Sequence, residues 1–405
     1  VRKIIGVIVA VFVFIPVFIQ TAGAEPGEGI RIDNLTIVPF MDLTAKYDSN
    51  IYQTDKDAQD DYIGEGDIGV AVANKTDMLD LSGRLWGQLR RYADHDDKNA
   101  DDWGESLGLT LGMRDMIALA IYQKYAQLDD YDRTPGLVDS MNLEEVALDL
   151  TGDRSDKAKR DVFNLDAGLG KAFTDKLEAD VVYKYYNVDY SDAGYYNWNE
   201  NRGKADVSYR VTEKTAGLLV GVYGVQDSDG FSDKSELGIA RLGVEHKLTD
   251  KTQLRAEAGY EHYDSGVAGA GNKDIFNYMV RGSWAATEKL SLRITGKNGI
   301  FPASTYANNV KEVSSMALGG YLAMTPAIQM ALSGSYSEDD YLEKVQVGDQ
   351  MKDDNAKHYG AQLRVDYNPP VKFFNVYAAV SYLTTDSSVE DYNQWKAAIG
   401  LQLRY

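Results

Sequence analysis

A chain of 405 residues without cysteine has no disulfides, thiolate metal sites, thiol nucleophile or lipid anchor on sulfur. The formal charge of -20 argues against nucleic acid as a partner, because phosphate contacts need clustered Lys and Arg. A mean hydropathy of -0.37 excludes a bundle of membrane helices but not a membrane barrel, whose strands need apolar residues only at every second position.

Arg2 and Lys3 precede the apolar run Ile4 to Ile19, which Pro16 interrupts, and Ala22-Gly23-Ala24 supplies a small-x-small pattern. Together these predict a signal peptide over residues 1–24, with cleavage before Glu25. Residues 25–35 are then a short periplasmic lead-in, and residues 36–405 one β-domain. Within that domain, alternation runs over roughly ten residues at a time, about twice the length of an average strand in a soluble sandwich. Leu177, Ala179, Val181, Tyr183 and Tyr185 share one face, while Glu178, Asp180, Lys184 and Tyr186 share the other. Leu254 to Tyr260 and Tyr359 to Tyr367 repeat the pattern.

The connections alternate between short and long. Short polar turns carry a recurring signature: Thr174-Asp175-Lys176, Thr212-Glu213-Lys214, Thr249-Asp250-Lys251 and Thr287-Glu288-Lys289. Longer segments rich in Asp, Asn, Ser and Gly, such as Ala93 to Asp101 and Ser337 to Asn355, lie between them. Short periplasmic turns and long external loops are the asymmetry of an outer-membrane barrel. The reading is therefore an all-β, antiparallel, up-and-down transmembrane barrel of about eighteen strands, with sixteen to eighteen allowed. The last strand alternates Trp395, Ala397, Ile399, Leu401, Leu403 and Tyr405 with polar or small residues. Ile399, Leu401, Leu403 and Tyr405 are read as the signal for the barrel-assembly machinery, which is one expected partner; outer-membrane lipid and lipopolysaccharide are the others.

The first strand ends Tyr47-Asp48-Ser49-Asn50-Ile51-Tyr52. A tyrosine, an Asp-x-Asn triplet and a second aromatic at this place resemble the opening of the β-barrel porin family (porin 2 type) often found with exopolysaccharide-export systems. The resemblance implies an outer-membrane conduit, with polysaccharide-export components as partners, and carries no catalytic or ligand residues with it. The alternative is a structural or binding barrel that does not conduct.

If the apolar faces meet lipid, then Arg84, Arg90, Arg210, Arg241, Arg255, Arg281, Arg293, Arg364 and Arg404 point into the lumen. Asp166, Asp180, Asp206, Glu245, Glu257 and Asp366 join them. Such a wall either sets ion selectivity or pairs its charges across neighbouring strands. The longest connection, near Asp129 to Lys159, holds Leu143, Val146, Leu148 and Leu150 among Glu144, Glu145 and Asp149, and is read as a candidate constriction loop or an external extension. Acidic groups at Asp94, Asp96 and Asp97, Asp227 and Asp229, Glu338 to Asp340, and Asp353 and Asp354 are placed in external loops. Trp86, Trp103, Tyr183, Tyr209, Tyr278, Trp284 and Trp395 are assigned to interface girdles. The run Tyr195 to Asn199 is an external-loop candidate for stacking on sugars. No cofactor or metal is expected. His95, His246, His262 and His358 stand in no nucleophile-activating context, so the chain reads as a non-enzyme.

Overall fold

The computed structural model describes residues 28–112, 117–130, 158–191, 196–229, 233–266, 271–302, 310–341, 345–347, 350–352, 355–371, 373–387 and 391–405. A short strand β1 (Ile30–Ile32) comes first, followed by β2 (Leu35–Asp48), β3 (Asp61–Lys75), β4 (Leu79–Tyr92), β5 (Ala100–Gly112) and β6 (Ile117–Asp130). The ring continues through β7 (Ala158–Ala172), β8 (Leu177–Tyr190), β9 (Trp198–Thr212), β10 (Thr215–Ser228), β11 (Ser235–Thr249) and β12 (Thr252–Asp264). It then takes β13 (Asn272–Ala285), β14 (Leu290–Pro302), β15 (Val310–Ala323) and β16 (Ile328–Tyr341). A small hairpin, β17 (Val345–Val347) and β18 (Gln350–Lys352), interrupts the connection before β19 (Asn355–Tyr367), β20 (Phe374–Ser387) and β21 (Tyr392–Arg404).

Each long strand pairs antiparallel with the next along the chain, β16 passing directly to β19, and β21 returns to β2 in the register Phe40↔Arg404 to Asp48↔Lys396. Eighteen long strands among the described residues thus close into one barrel, with β1 as an appendage paired to Leu35–Ile37. The lead-in expected over residues 25–35 therefore includes a strand, turned back by Asp33 at φ 53°. The leader expected over residues 1–24 lies outside the described residues.

The recurring threonine of the short turns has a mechanical role. Thr174 Oγ1 accepts from the amides of Lys176 (3.2 Å) and Leu177 (3.0 Å), and Thr287 Oγ1 from those of Lys289 (3.1 Å) and Leu290 (2.9 Å). Thr325 and Thr76 do the same in their own turns, and Thr212 and Thr249 each accept from one turn amide, that of Lys214 and Lys251. This is the local side-chain cap that lets a hydroxyl satisfy turn amides. In the four Thr-x-Lys turns the lysine carbonyl is then available to the following hairpin: the amides of Arg210, Lys247, Ala285 and Ala323 donate to the carbonyls of Lys176, Lys214, Lys251 and Lys289.

Strand alternation separates the two faces. Leu85, Leu107, Leu169, Val181, Leu219, Leu242, Leu318, Leu332 and Ile399 are exposed on the outside, and their strand neighbours Arg90, Arg241, Glu257, Ser333 and Ala398 are buried on the inside. In water such an outer belt would be strongly unfavourable; in hydrocarbon it is solvated. At the long-loop end of the belt, aromatic side chains stack in pairs across adjacent strands. These are Tyr47–Tyr62 (5.3 Å), Trp103–Tyr125 (5.2 Å), Phe163–Tyr185 (6.1 Å), Tyr336–Tyr359 (5.1 Å) and Tyr382–Trp395 (4.5 Å). Hydroxyls of Tyr47, Tyr336 and Tyr382 reach Asp60, Glu338 and Asn393, so the rings stay in the apolar zone while their polar tips find partners. Tyr209, Trp284 and Tyr367 stand exposed towards the short-turn end. The molecule is a transmembrane β-barrel of the outer membrane.

Two sequence expectations are corrected here. Trp86 belongs to the inner face, opposite Gly104, because its strand alternates in phase with Arg84 and Arg90. Glu338 to Asp340 lie within β16 rather than in a loop, because strands of 13 to 15 residues tilted by about 40° reach beyond an apolar band about 25 Å tall. Close backbone approach at Gly259 supplies a test: a Cβ there would collide with the carbonyl of Ala240, whereas one at Gly217 meets open space. Gly259→Ala should lower stability to urea in lipid vesicles by about 1–3 kcal/mol, and Gly217→Ala should leave it unchanged.

Candidate functional site on the inner wall of the barrel

The segment Tyr47 to Tyr52 folds over the seam where the first and last long strands meet. Asp48 Oδ1 accepts from the Asn50 amide (3.0 Å), and both Asp48 oxygens accept from Gln394 Nε2 (2.9 Å each). Asn50, 1 % exposed, donates to the carbonyls of Thr54 (2.8 Å) and Asn393 (3.1 Å) and accepts from the Thr54 amide (3.1 Å). Lys396 Nζ lies 3.6 Å from Asp48. The next external connection joins in: Asp61 accepts from the amides of Ala93, Asp94 and His95 and from His95 Nδ1 at 2.8 Å, and Lys98 sits 4.0 Å from the centre of the Tyr52 ring. The Asp-x-Asn triplet is thus a buried polar clasp across the seam.

Below the clasp, the inner wall is ionic. Glu65 binds Lys46 Nζ at 2.6 Å and Arg90 Nε at 2.9 Å, all three side chains being largely buried. Across β11 to β13, Glu257 takes two arginines: Arg255 Nε at 2.6 Å and Arg241 Nε at 2.9 Å, the latter without hydrogen-bond alignment. Arg241 also donates to Asn277 Oδ1 (2.8 Å), which passes the chain to Glu261 through Asn277 Nδ2 (2.6 Å). Arg255 reaches Asp206 and Glu245 at 3.7 and 3.9 Å, and Lys204 pairs with Asp206 at 2.7 Å. Arg364 grips Asp366 through Nη2 (2.8 Å) and Nε (3.0 Å) and stacks 4.0 Å from the Tyr377 ring centre. Lys311 and Asp339, 3 % and 2 % exposed, pair at 2.8 Å, with His358 Nε2 3.8 Å away.

All nine arginines named from the sequence lie on this face, but in different environments. Arg90 and Arg241 are buried in ion pairs, Arg255 and Arg364 are partly covered, and Arg84, Arg210, Arg281, Arg293 and Arg404 are exposed to the lumen. Arg84 also lies over the Phe40 ring at 4.5 Å. Sequence reasoning missed Lys46, Glu65 and Lys311; the available signal was opposite charge at positions that register brings close together. Glu144, Glu145 and Asp149 of the candidate constriction loop lie outside the described residues, as do Asp353, Asp354 and Tyr195. Trp198, expected in a loop, begins β9 and stacks on Tyr186 at 5.0 Å, since alternation continues to the strand end. Ile399, Leu401 and Leu403 face outward in register with Ala45, Leu43 and Met41. His246 and His262 are on the outer face, bonded to Thr215 and Asp274.

No family model matches the chain, and no curated protein matches it. Among solved structures, OccAB4 of Acinetobacter baumannii is similar at 11 % identity and a TM-score of 0.48, over 91 % of this chain and 98 % of that one. The outer membrane protein OpdK of Pseudomonas aeruginosa is similar at 11 % identity and 0.47, over 91 % and 99 %. The siderophore receptor PirA of Pseudomonas aeruginosa is similar at 7 % identity and 0.48, over 94 % and 81 %. The likeness is too loose to transfer a solute, a residue role or a mechanism, and this chain's own side chains decide those.

The buried pair Lys311–Asp339 tests how the wall is held. Lys311→Met should cost about 3–5 kcal/mol in urea unfolding, because it strands a buried carboxylate. Combining it with Asp339→Leu should recover most of that loss.

Proposed function

We propose that the barrel is a porin-like channel, a water-filled passage whose selectivity is set by its inner charges. The observation that carries this reading is the inner wall itself: charged and polar side chains line it, and five arginines stand exposed there. A surface of this kind is wetted, and cations fixed along it concentrate anions in the water beside them. Buried pairs such as Glu65–Arg90 and Glu257–Arg241 hold the wall in place, while the exposed arginines act on the passing solute. Ile399, Leu401, Leu403 and Tyr405 serve assembly in this reading.

The mature protein in a planar bilayer should give stable conductance steps with a preference for anions. Arg84→Glu combined with Arg404→Glu should move the reversal potential in a salt gradient towards cation preference. Folded protein without steps would defeat the channel reading and favour a barrel closed by its loops.

Within that reading, we propose a role in export of surface polysaccharide, supported by the resemblance in Tyr47 to Tyr52, the segment that forms the seam clasp. Loss of the protein should then leave polymer in the periplasm; unchanged surface polysaccharide in its absence would remove this finer role.

A further inference from the structure

Towards the short-turn end of β4 to β8, the inner wall is hollowed. Register aligns Asp80, Thr110, Ala120 and Gly168 in one row, and Ser82, Gly108, Tyr122 and Asp166 in the next. Gly108, Ala120 and Gly168 bring almost no side chain to their positions, so the wall recedes there by the depth of the missing groups. The result is a recess of about 350 Å³ opening on the lumen, at the lower end of the roughly 300–1,000 Å³ typical of small-molecule sites. It admits a ligand the size of one or two sugar rings.

The rim specifies the chemistry. Tyr122 is 40 % exposed and its ring leans over Gly108, with Cδ2 3.7 Å from where a Cβ would stand, offering an aromatic face beside the recess. Ser82 and Thr110 each give and accept hydrogen bonds, and two carboxylates accept. Both carboxylates already have a cation: Asp166 lies 3.3 Å from Lys184, and Asp80 lies 3.7 Å from Lys75. An incoming cation therefore gains little, and an anion meets carboxylates. Asp166 and Asp80 keep 26 % and 51 % of their side chains exposed, so each can still accept from a hydroxyl donor in the recess. A ligand rich in hydroxyls, neutral, with an apolar C–H face for the tyrosine ring, satisfies all of these groups at once.

We propose that this recess is a binding subsite for a neutral polyhydroxylated solute, a sugar unit, that the lumen brings to it. The proposal rests on the channel reading for the supply of solute, which the lumen would carry past the recess. The unit is supplied either by a free sugar or by one residue of a longer chain, and length of ligand separates the two.

The test is saturation-transfer NMR on the folded full chain in detergent micelles, titrated with glucose, maltohexaose, arginine and benzoate. Saturable binding of glucose and maltohexaose alike supports a site for free sugar, and binding of maltohexaose alone supports a site for a chain. Tyr122→Ala should weaken either by about tenfold or more, and Tyr122→Phe, which keeps the ring, should retain most of the binding. Gly168→Leu should abolish it by filling the recess; a Cβ there meets only ordinary contacts, the nearest Val182 Cγ2 at 3.5 Å. If no sugar saturates (a hydrated recess only), if Tyr122→Ala leaves binding intact, or if arginine or benzoate binds in its place, the proposal is overturned. Conductance on the same preparations keeps the two readings apart. Sugar binding to a folded but silent barrel sinks the channel and keeps the subsite, and conduction without sugar saturation does the reverse.

Discussion

A strand inside a bilayer has no water to satisfy its backbone, and that single constraint governs the rest of this molecule. Each unpaired amide or carbonyl in hydrocarbon costs several kcal/mol, so the sheet has to end on itself. The ladder between β2 and β21 accomplishes this, but only over Phe40 to Asp48. Below Phe40 the edge of β2 would lie open. The chain covers it with β1, which pairs with Leu35–Ile37, and with the amide of Tyr405, which donates to the Pro39 carbonyl at 3.1 Å. Above Asp48 the clasp built on Asn50 and Gln394 continues the closure. The seam is thus secured at both ends by segments outside the ring, as an exposed edge requires.

Closure with strict alternation then determines what the interior can be. A ring of eighteen strands is too wide for side chains to fill, and half of its residues must face the space enclosed. Here that half is largely polar, and much of it is charged with both signs present. Burying charge is expensive, but each deeply placed carboxylate described above has a cation or several amides within reach, which offsets most of the desolvation. The wall is thereby divided into charges buried in ion pairs and charges exposed to the lumen. Between them lie stretches of small residues, such as Gly108, Ala120 and Gly168, where the wall falls back.

Much of this architecture was legible in the residues. The ring, the strand number, the short and long connections, and the face taken by each arginine follow from a period of two and from turn composition. The threonine-lysine signature was visible as a repeat, although its meaning as an amide cap required atoms. Three things were hidden. Strand ends were drawn too short at Ser337 and at Trp198 and Asn199, because acidic and polar residues read as loop even where strands rise out of the membrane. Trp86 was drawn to the outside because aromatic girdles are common, whereas its own strand phase placed it within. The buried pairs and the recess depend on register between strands, which alternation within one strand cannot supply.

The turn caps have a consequence for how such a barrel changes over evolutionary time. Four of the short turns carry their own stabilising hydroxyl, at Thr174, Thr212, Thr249 and Thr287, and each of these passes one lysine carbonyl to the strand that follows. A hairpin of this design brings along the means to form itself and to dock on a like neighbour. Duplication or loss of one two-strand unit would therefore widen or narrow the ring without requiring new turn chemistry, leaving the β2–β21 seam as the part least free to vary.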